Sequence, residues 1–285
     1  MTTIAVTGAT GHLGRLVVEA LIARGAEPGS IVAAVRSPEK AGGLAAKGVQ
    51  VREADYERPE TLAGAFAGVD RLLLVSSNAV GTRVAQHTAA IDAAKAAGVG
   101  FIGYTSILRA DSTPLALAAE HRATEEILAA SGLPYAFLRN GWYTENYTDQ
   151  LPTVKATGGF LGTAGEGRIA AATRADYAEA AAVVLISGEA GVYELGGDQP
   201  FTLTELAAEV ARQTGDAVAY NDVPPATMVE ILTGAGVPQG FAEILADTDV
   251  HVRDGALTTD SGDLSRLIGH PTTPLTDAVA VALKS

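Results

Sequence analysis

The chain has 285 residues, a formal net charge of −13 and no cysteine. Its 20 basic residues against 33 acidic ones disfavour nucleic acid as a partner, and the lack of cysteine excludes disulfides and thiolate chemistry. Hydrophobic residues make up 47% of the chain, so we expect a folded protein with a sizeable core. No apolar stretch could cross a bilayer and the first strand starts directly after Thr3, which predicts a cytoplasmic protein without membrane insertion.

Three glycines stand where a short apolar strand, Ile4 to Val6, turns into a helix. In such a turn the first glycine permits the bend, the second lets the backbone approach a pyrophosphate, and the third allows the helix to pack on the strand. The Gly-x-x-Gly-x-x-Gly spacing is the form used by short-chain dehydrogenase/reductase proteins. We therefore predict cofactor binding by Gly8, Thr10, Gly11, His12, Leu13 and Gly14.

Short apolar runs then alternate with alanine-rich helical stretches. These runs are Ile31 to Val35, Val49 to Arg52, Arg71 to Val75, Phe101 to Tyr104 and Tyr135 to Leu138. Nearly continuous apolar strands are typical of a parallel sheet that is covered on both faces. The pattern predicts an α/β protein with a doubly wound (Rossmann) parallel sheet and helices on both faces.

After Leu138 the rhythm breaks into a glycine-rich stretch, and we expect the chain to leave the main sheet there. It should return with a helix over Tyr177 to Ile186, capped by Thr173-x-x-Asp176, and with a strand over Val192 to Leu195 at the sheet edge. From Phe201 onward we expect two or three helices, a strand over Val218 to Tyr220 and a tail from Pro271. This predicts a Rossmann domain of residues 1–140 plus 171–198, and a smaller α/β lobe of residues 141–170 plus 199–285, which includes the C-terminus.

Arg36 follows the second strand, where the adenosine ribose of a dinucleotide is met in such sheets. Its permanently charged fork suits a 2′-phosphate, and no acidic residue occupies the position, so NADP(H) is favoured over NAD. A solvated surface arginine is the plain alternative. Asp55 could accept a hydrogen bond from adenine, or could be a solvated loop carboxylate. Cofactor contacts are also predicted for Ser76, Ser77 and Asn78, whose turn-forming tendency explains them equally well.

Ordinary short-chain dehydrogenases transfer the proton of an alcohol with a Tyr-x-x-x-Lys pair on the helix after the fifth strand. Here Leu117 falls at the tyrosine position and His121 at the lysine position. Leucine cannot transfer a proton, so ordinary alcohol dehydrogenation is not expected. His121 could instead hydrogen-bond the nicotinamide ribose, and it is a weak catalytic candidate; a helix histidine paired with Glu125 is the alternative.

The chain resembles the NmrA-like, atypical short-chain dehydrogenase/reductase family, and in particular its bacterial NADPH:quinone oxidoreductase branch. The resemblance runs end to end and is most specific in Arg139-Asn140-Gly141-Trp142-Tyr143 and in Ile268-Gly269-His270-Pro271. It implies NADPH as cofactor and reduction of quinones by hydride transfer, without flavin or metal. Two alternatives stay open: an NmrA-like redox sensor with little turnover, and a triphenylmethane dye reductase.

The implied reaction fits the missing proton-transfer pair. Hydride addition to a quinone leaves a phenolate-like anion with a pKa near that of tyrosine, about 10, and such an anion can wait for a proton from solvent. The protein could therefore reduce a quinone simply by holding the nicotinamide and the quinone ring in contact. The partner is expected to be a quinone or another flat aromatic acceptor. Homodimer formation is left open.

The segment after the sixth strand should lie in the cleft between the two lobes. Its aromatic residues could stack on a flat acceptor or wall the nicotinamide, with core packing as the alternative for the single tryptophan. Substrate binding is assigned to Trp142, Tyr143 and Asn146, with Tyr143 as a weak candidate for a late proton donor. Further cofactor contacts are assigned to Asn140, Gly141, Trp142 and Thr173, although a helix cap explains Thr173 without a ligand. The five scattered histidines predict no metal site.

Overall fold

The computed structural model describes residues 2–284. Within that range the strands are β1 (Ile4–Thr7), β2 (Ile31–Val35), β3 (Gln50–Glu53), β4 (Arg71–Leu74), β5 (Phe101–Ile107), β6 (Tyr135–Asn140), β7 (Gly159–Gly162), β8 (Gly191–Leu195) and β9 (Ala219–Asp222). Seven of them form one parallel sheet in the order β3-β2-β1-β4-β5-β6-β8, and β7 pairs in parallel with β9. The strand order reverses beside β1, so the cleft at the carboxyl ends of the central strands is the expected ligand site.

Helices cover both faces of this sheet, which confirms the predicted fold class. The helices of the first half are α1 (His12–Ala23), α2 (Gly42–Ala45), α3 (Glu60–Phe66), α4 (Arg83–Ala96), α5 (Ala118–Ala130), α6 (Glu145–Thr148) and α7 (Leu151–Thr157). Those of the second half are α8 (Arg174–Ser187), α9 (Leu203–Thr214), α10 (Pro225–Gly234), α11 (Gln239–Val252), α12 (Asp263–Ile268) and α13 (Leu275–Ala282). One core cluster joins α1, α8 and α12 to one sheet face, and another joins α3, α4 and α5 to the opposite face.

A third core cluster begins at the carboxyl end of β5 and is built mainly from α6, α7, α9, α11, α13 and Phe160 of β7. Most of its members lie in the segments for which the sequence predicts the second lobe. The sequence predicted two or three helices after Phe201, and this number was wrong: the described part of the chain contains five, α9 to α13. The predicted tail includes α13, which follows Pro274, while Ser285 lies outside the described residues.

The predicted edge strand is confirmed. It forms β8, which pairs with β6 and places Leu195 beside Asn140. The preceding helix α8 begins at Arg174, and Thr173 and Asp176 form the predicted capping box in front of it. Among residues 2–284, no helix is long and apolar enough to cross a membrane.

Candidate active site

The glycine turn between β1 and α1 is shaped by close backbone contacts. Gly8 has a φ of +58°, and its carbonyl accepts a hydrogen bond of 2.8 Å from the Gly11 N–H. A Cβ atom on Gly14 would lie 2.4 Å from that same carbonyl oxygen, so only glycine fits there. The helix α1 has neither a side-chain cap nor an acidic residue in its first turn. Its free N–H groups therefore fit a pyrophosphate, as expected for a dinucleotide site.

The residues between these glycines differ in what they can offer a ligand. Thr10 and His12 are exposed, so both side chains could reach a bound phosphate. Leu13 is buried in the core between α1 and the sheet, which leaves only its backbone available. These contacts with a cofactor stay predictions.

Arg36 follows β2 directly, at the same sheet edge as the glycine turn, because Thr7 at the end of β1 pairs with Ala34. Its side chain is exposed and makes no hydrogen bond or ion pair within the described residues. A guanidinium without an internal partner at this edge fits the 2′-phosphate of NADP(H).

Asp55 has partners of its own within the chain. Its carboxylate accepts hydrogen bonds from the Glu57 N–H at 3.0 Å and from the Arg58 guanidinium at 3.2 Å. These bonds stabilise the turn after β3, which is the plain alternative considered for this residue. A contact with adenine stays a prediction.

The turn after β4 is tied to neighbouring elements through its backbone. The Ser76 N–H donates to Thr105 Oγ1 at 2.8 Å, and the Ser77 N–H donates to His87 Nε2 at 3.0 Å. The Ser77 hydroxyl donates to Gln86 at 2.7 Å. Asn78, by contrast, is exposed and its side chain has no hydrogen bond within residues 2–284, so it is the freest of the three to meet a ligand.

His87 is a fully buried histidine that the sequence analysis did not single out. Since its Nε2 accepts from Ser77, its proton sits on Nδ1 and is donated to Thr124 Oγ1 at 3.0 Å. The Thr124 hydroxyl in turn donates a hydrogen bond to the Glu120 carbonyl at 2.8 Å. Burial, together with the positive charge of Arg83, lowers the pKa of His87 to about 3. The ring is therefore neutral at neutral pH and anchors the turn after β4 to α4 and α5.

His121 lies near the start of α5 and is also buried. Its Nδ1 is 2.8 Å from the Tyr104 hydroxyl, and burial with the nearby charge of Arg83 lowers the pKa of His121 to about 3. When the phenol donates to Nδ1, the proton of the ring resides on Nε2. His121 can thus offer a neutral N–H but not the positive charge of a lysine. A contact with the nicotinamide ribose stays a prediction, as does a catalytic role.

Asn140 ends β6 and carries an unpaired polar atom. Its Oδ1 is buried and has no hydrogen-bond partner within the described residues, while its Nδ2 donates only a long bond of 3.4 Å to Tyr143. A buried amide oxygen without a donor is costly, so a ligand donor such as the nicotinamide carboxamide would fit it. At Gly141, a Cβ would lie 3.1 Å from both the Leu195 carbonyl and the Tyr177 hydroxyl, so packing alone accounts for that glycine.

The two aromatic residues after β6 face different cores. Trp142 is half-buried against the core of the second lobe, which matches the packing alternative stated for it. Tyr143 packs on the main core, with its ring edge-on to Tyr177 at 5.4 Å and the Arg174 guanidinium 5.4 Å from its centroid. Burial raises the pKa of Tyr143. Asn146 is half-buried, and its side chain makes no hydrogen bond within residues 2–284.

Thr173 has a structural role that needs no ligand. Its hydroxyl donates to Asp176 Oδ2 at 2.8 Å and accepts from the Asp176 N–H at 3.2 Å. This confirms the capping box, and the cofactor contact stays a prediction. Across the described residues, no group of three or more His, Cys, Asp or Glu side chains could hold a metal ion.

Arg139 forms ion pairs with three carboxylates at this cleft, and the sequence analysis did not predict these pairs. It is buried in β6 and binds both carboxylate oxygens of Glu125 on α5, at 3.0 and 2.7 Å. Its third nitrogen donates to Asp111 at 3.0 Å and to Glu194 on β8 at 2.8 Å. An arginine inside a strand of otherwise apolar residues was the available signal, because such a charge requires a carboxylate partner.

The fold and this cleft together define a dinucleotide-binding protein, and the chain belongs to the NAD(P)H-binding family, whose model matches residues 8–187. The family prediction is confirmed. The chain is 52% identical, over 97% of both sequences, to quinone oxidoreductase 2 of Escherichia coli (strain K12). It superposes with a TM-score of 0.95 on the crystal structure of the NADPH-dependent quinone oxidoreductase from E. coli in complex with NADPH, at 51% identity over 99% of this chain and 100% of that one. Triphenylmethane reductase of Citrobacter sp. is similar at 38% identity, with a TM-score of 0.91 over 99% and 100% of the two chains.

Proposed function

We propose that this protein is an NADPH-dependent quinone reductase that works without flavin or metal. The observation that carries the proposal is the 52% identity to quinone oxidoreductase 2 along 97% of each chain. The cleft supports it independently, because it combines a pyrophosphate turn, an unpaired arginine for the 2′-phosphate and the loss of the Tyr-x-x-x-Lys pair.

NADPH, when bound, supplies a hydride. The backbone N–H groups after Gly11 would hold its pyrophosphate, Arg36 its 2′-phosphate, and Asn140 Oδ1 its carboxamide. His121 would offer its neutral Nε2–H to a ribose hydroxyl. The protein thereby fixes the position of the nicotinamide, and its own groups need not transfer a proton in the same step.

Trp142 and Tyr143 would position the flat acceptor. The Tyr143 hydroxyl keeps its proton at neutral pH, since burial raises its pKa, and it can donate a hydrogen bond to a quinone oxygen. The hydroquinone anion that results has a pKa of about 10 and can take its proton from water.

Stopped-flow mixing of purified protein, NADPH and a small benzoquinone tests the proposal. We expect NADPH oxidation well above the uncatalysed rate, in a stoichiometry of one hydroquinone per NADPH, without added flavin. Oxidation at the uncatalysed rate overturns the proposal. If NADPH and NADP+ then differ strongly in affinity by calorimetry, the redox-sensor alternative is favoured.

Reduction of triphenylmethane dyes is a second candidate activity, favoured by the 38% identity to the Citrobacter reductase over nearly the whole chain. A decolourisation assay with NADPH decides it. A ratio of kcat/KM that favours the dye over benzoquinone would make the dye, and not the quinone, the better model substrate.

We further propose that residues 1–140 plus 171–198 bind the cofactor and that residues 141–170 plus 199–285 bind the acceptor. The core cluster of α6, α7, α9 and α13 supports this division, and its members Ile107, Leu115 and Ala118 join it to the Rossmann domain. A cytoplasmic location and a homodimer are compatible with the proposal. Fractionation and sedimentation measurements, respectively, test them.

A further inference from the structure

A large cavity lies in the second lobe, between the α6–α7 segment, α9 and α13. Its volume is about 980 Å³, within the range of small-molecule sites. Of the residues predicted to bind cofactor or substrate, Thr173 alone lines it among those described. Trp142 and Tyr143 do not, and a backbone bridge between Tyr143 and Ala172 lies beside it. The cavity is therefore distinct from the proposed cofactor cleft.

Two threonines that line this cavity are almost wholly buried as residues. Thr144 and Thr148 are 3% and 5% exposed and are one helical turn apart. Both line the cavity, and neither hydroxyl makes a hydrogen bond within residues 2–284. Neither oxygen is among the fully buried unpaired atoms, so both hydroxyls reach the surface of the cavity, where a polar group of a ligand would pair with them.

The charge of the cavity wall is mainly negative. Among the described residues, three acidic side chains line it (Glu145, Asp149 and Asp216) together with one cation, Lys155. Asp149 is paired with Arg174 at 3.1 Å, but both Glu145 oxygens share one donor from elsewhere in the chain, the Arg174 backbone N–H, at 2.9 and 3.0 Å. Burial raises the pKa of Glu145, while backbone N–H groups and the nearby charge of Arg174 act in the opposite direction. An ammonium group in the cavity would add a further donor to this carboxylate.

Most of the remaining wall is apolar. Leu151, Val154, Val210 and Val218 contribute aliphatic side chains to the same cavity that holds the threonine hydroxyls and Glu145. We propose that this cavity is a second binding site, for a small amphiphile with an apolar body and an amino head that is bound by Glu145 and Thr148. This site does not depend on the proposed quinone reduction.

Calorimetric titration of the full chain with n-octylammonium, n-hexylammonium and octanoate tests the proposal. We expect saturable binding of octylammonium, about fourfold weaker binding for each methylene removed, and at least tenfold weaker binding of octanoate. Binding of octanoate as tight as that of octylammonium, or no saturation by either probe, overturns it.

Two tryptophan variants on α13 form a matched pair. Ala282 lines the cavity and Ala280 does not, although both are half-buried on the same helix. We expect Ala282→Trp to weaken octylammonium binding about tenfold or more and Ala280→Trp to leave it within twofold, with NADPH affinity unchanged in both. Equal binding by the two variants overturns the proposal.

Glu145→Gln tests the charge without filling the cavity. It should weaken octylammonium binding about tenfold and leave n-octanol binding within about twofold, because only the ammonium group requires the carboxylate. Equal losses for both probes overturn the assigned role of Glu145. If no probe binds and the chain forms a dimer that Ala282→Trp dissociates, a second copy covers the cavity and the proposal is wrong.

Discussion

The Tyr104 hydroxyl on β5 lies 2.8 Å from Nδ1 of His121 on α5, and both groups are buried. This contact orients the histidine ring at the position where the sequence analysis places the lysine of ordinary short-chain dehydrogenases. Its neutral ring cannot provide the charge that lowers a tyrosine pKa in those enzymes. We therefore expect this cleft to act by positioning its ligands, and the two buried histidines to affect the stability of the fold.

The first prediction concerns the pH dependence of stability. The pKa of His87 and of His121 falls to about 3 in the folded protein, against 6.5 for an ordinary histidine, so the unfolded chain binds protons first as the pH falls. Stability from this effect is complete above pH 6.5 and is lost progressively as the pH falls toward about 3. By about pH 5 each histidine should cost roughly 1–2 kcal/mol of unfolding free energy.

Urea unfolding of the wild type and of His87→Asn and His121→Asn at about pH 7.5 and about pH 5 measures this effect. Each variant should lose less stability than the wild type between the two pH values. Carboxyl groups with a raised pKa, such as Glu145, act in the opposite direction but are common to all three proteins. Parallel losses in wild type and variants would contradict the prediction.

The second prediction concerns the glycine turn. Gly14→Ala places a Cβ 2.4 Å from the Gly8 carbonyl oxygen, so α1 must move away from β1. We expect a loss of about 1–3 kcal/mol in unfolding free energy and a fall of about tenfold or more in NADPH affinity. Gly64→Ala on α3 is the control, because a Cβ there meets nothing within 4 Å. Unchanged NADPH affinity in Gly14→Ala would remove the turn from the cofactor site.

The third prediction concerns Arg36→Ala, which tests whether Arg36 sets the preference for NADPH over NADH. NADPH affinity should fall about tenfold, by about 1.4 kcal/mol, whereas NADH affinity should barely change. Fluorescence titration with each cofactor measures both. Arg168→Ala, an exposed arginine in the second lobe that pairs with Glu205, is the control. Equal losses for the two cofactors would show that Arg36 does not contact the 2′-phosphate.

The fourth prediction separates positioning from acid catalysis at Tyr143. Tyr143→Phe keeps the ring against Tyr177 and removes only the hydroxyl. If water protonates the hydroquinone anion, kcat should fall less than about tenfold. Steady-state kinetics with benzoquinone measure this value. A fall in kcat of about a hundredfold or more would contradict the prediction. If that fall is absent with an acceptor that needs no proton, Tyr143 is the required acid.

Much of the fold could be predicted because its signals are local. Apolar runs bounded by glycine and polar residues placed β2 at its observed limits and β3 within one residue. The prediction ended β5 at Tyr104, although it continues to Ile107, because Thr105 and Ser106 do not look apolar. Their polar side chains lie buried at the end of the strand, where Thr105 accepts a hydrogen bond from the turn after β4.

The interactions that organise the cleft could not be read from local patterns. Arg139 and Glu194 are 55 positions apart, and their contact exists only because β8 pairs with β6. Likewise, His87 meets Thr124 only once α4 and α5 lie side by side. The sequence contained the residues but no spacing that related them. The sequence analysis also gave no bounds for the helices after Phe201, although Gly236 and Pro238 separate α10 from α11.

Arg139 also has a consequence for how the cleft can open. Its bonds to Glu125, Asp111 and Glu194 fasten α5, the loop after β5 and the edge strand β8 to one guanidinium. These bonds therefore hold α5, which carries His121, rigidly against β6, which leads to Trp142. We expect the wall on the Rossmann side to stay rigid. Substrate entry should therefore depend on displacement of the second lobe.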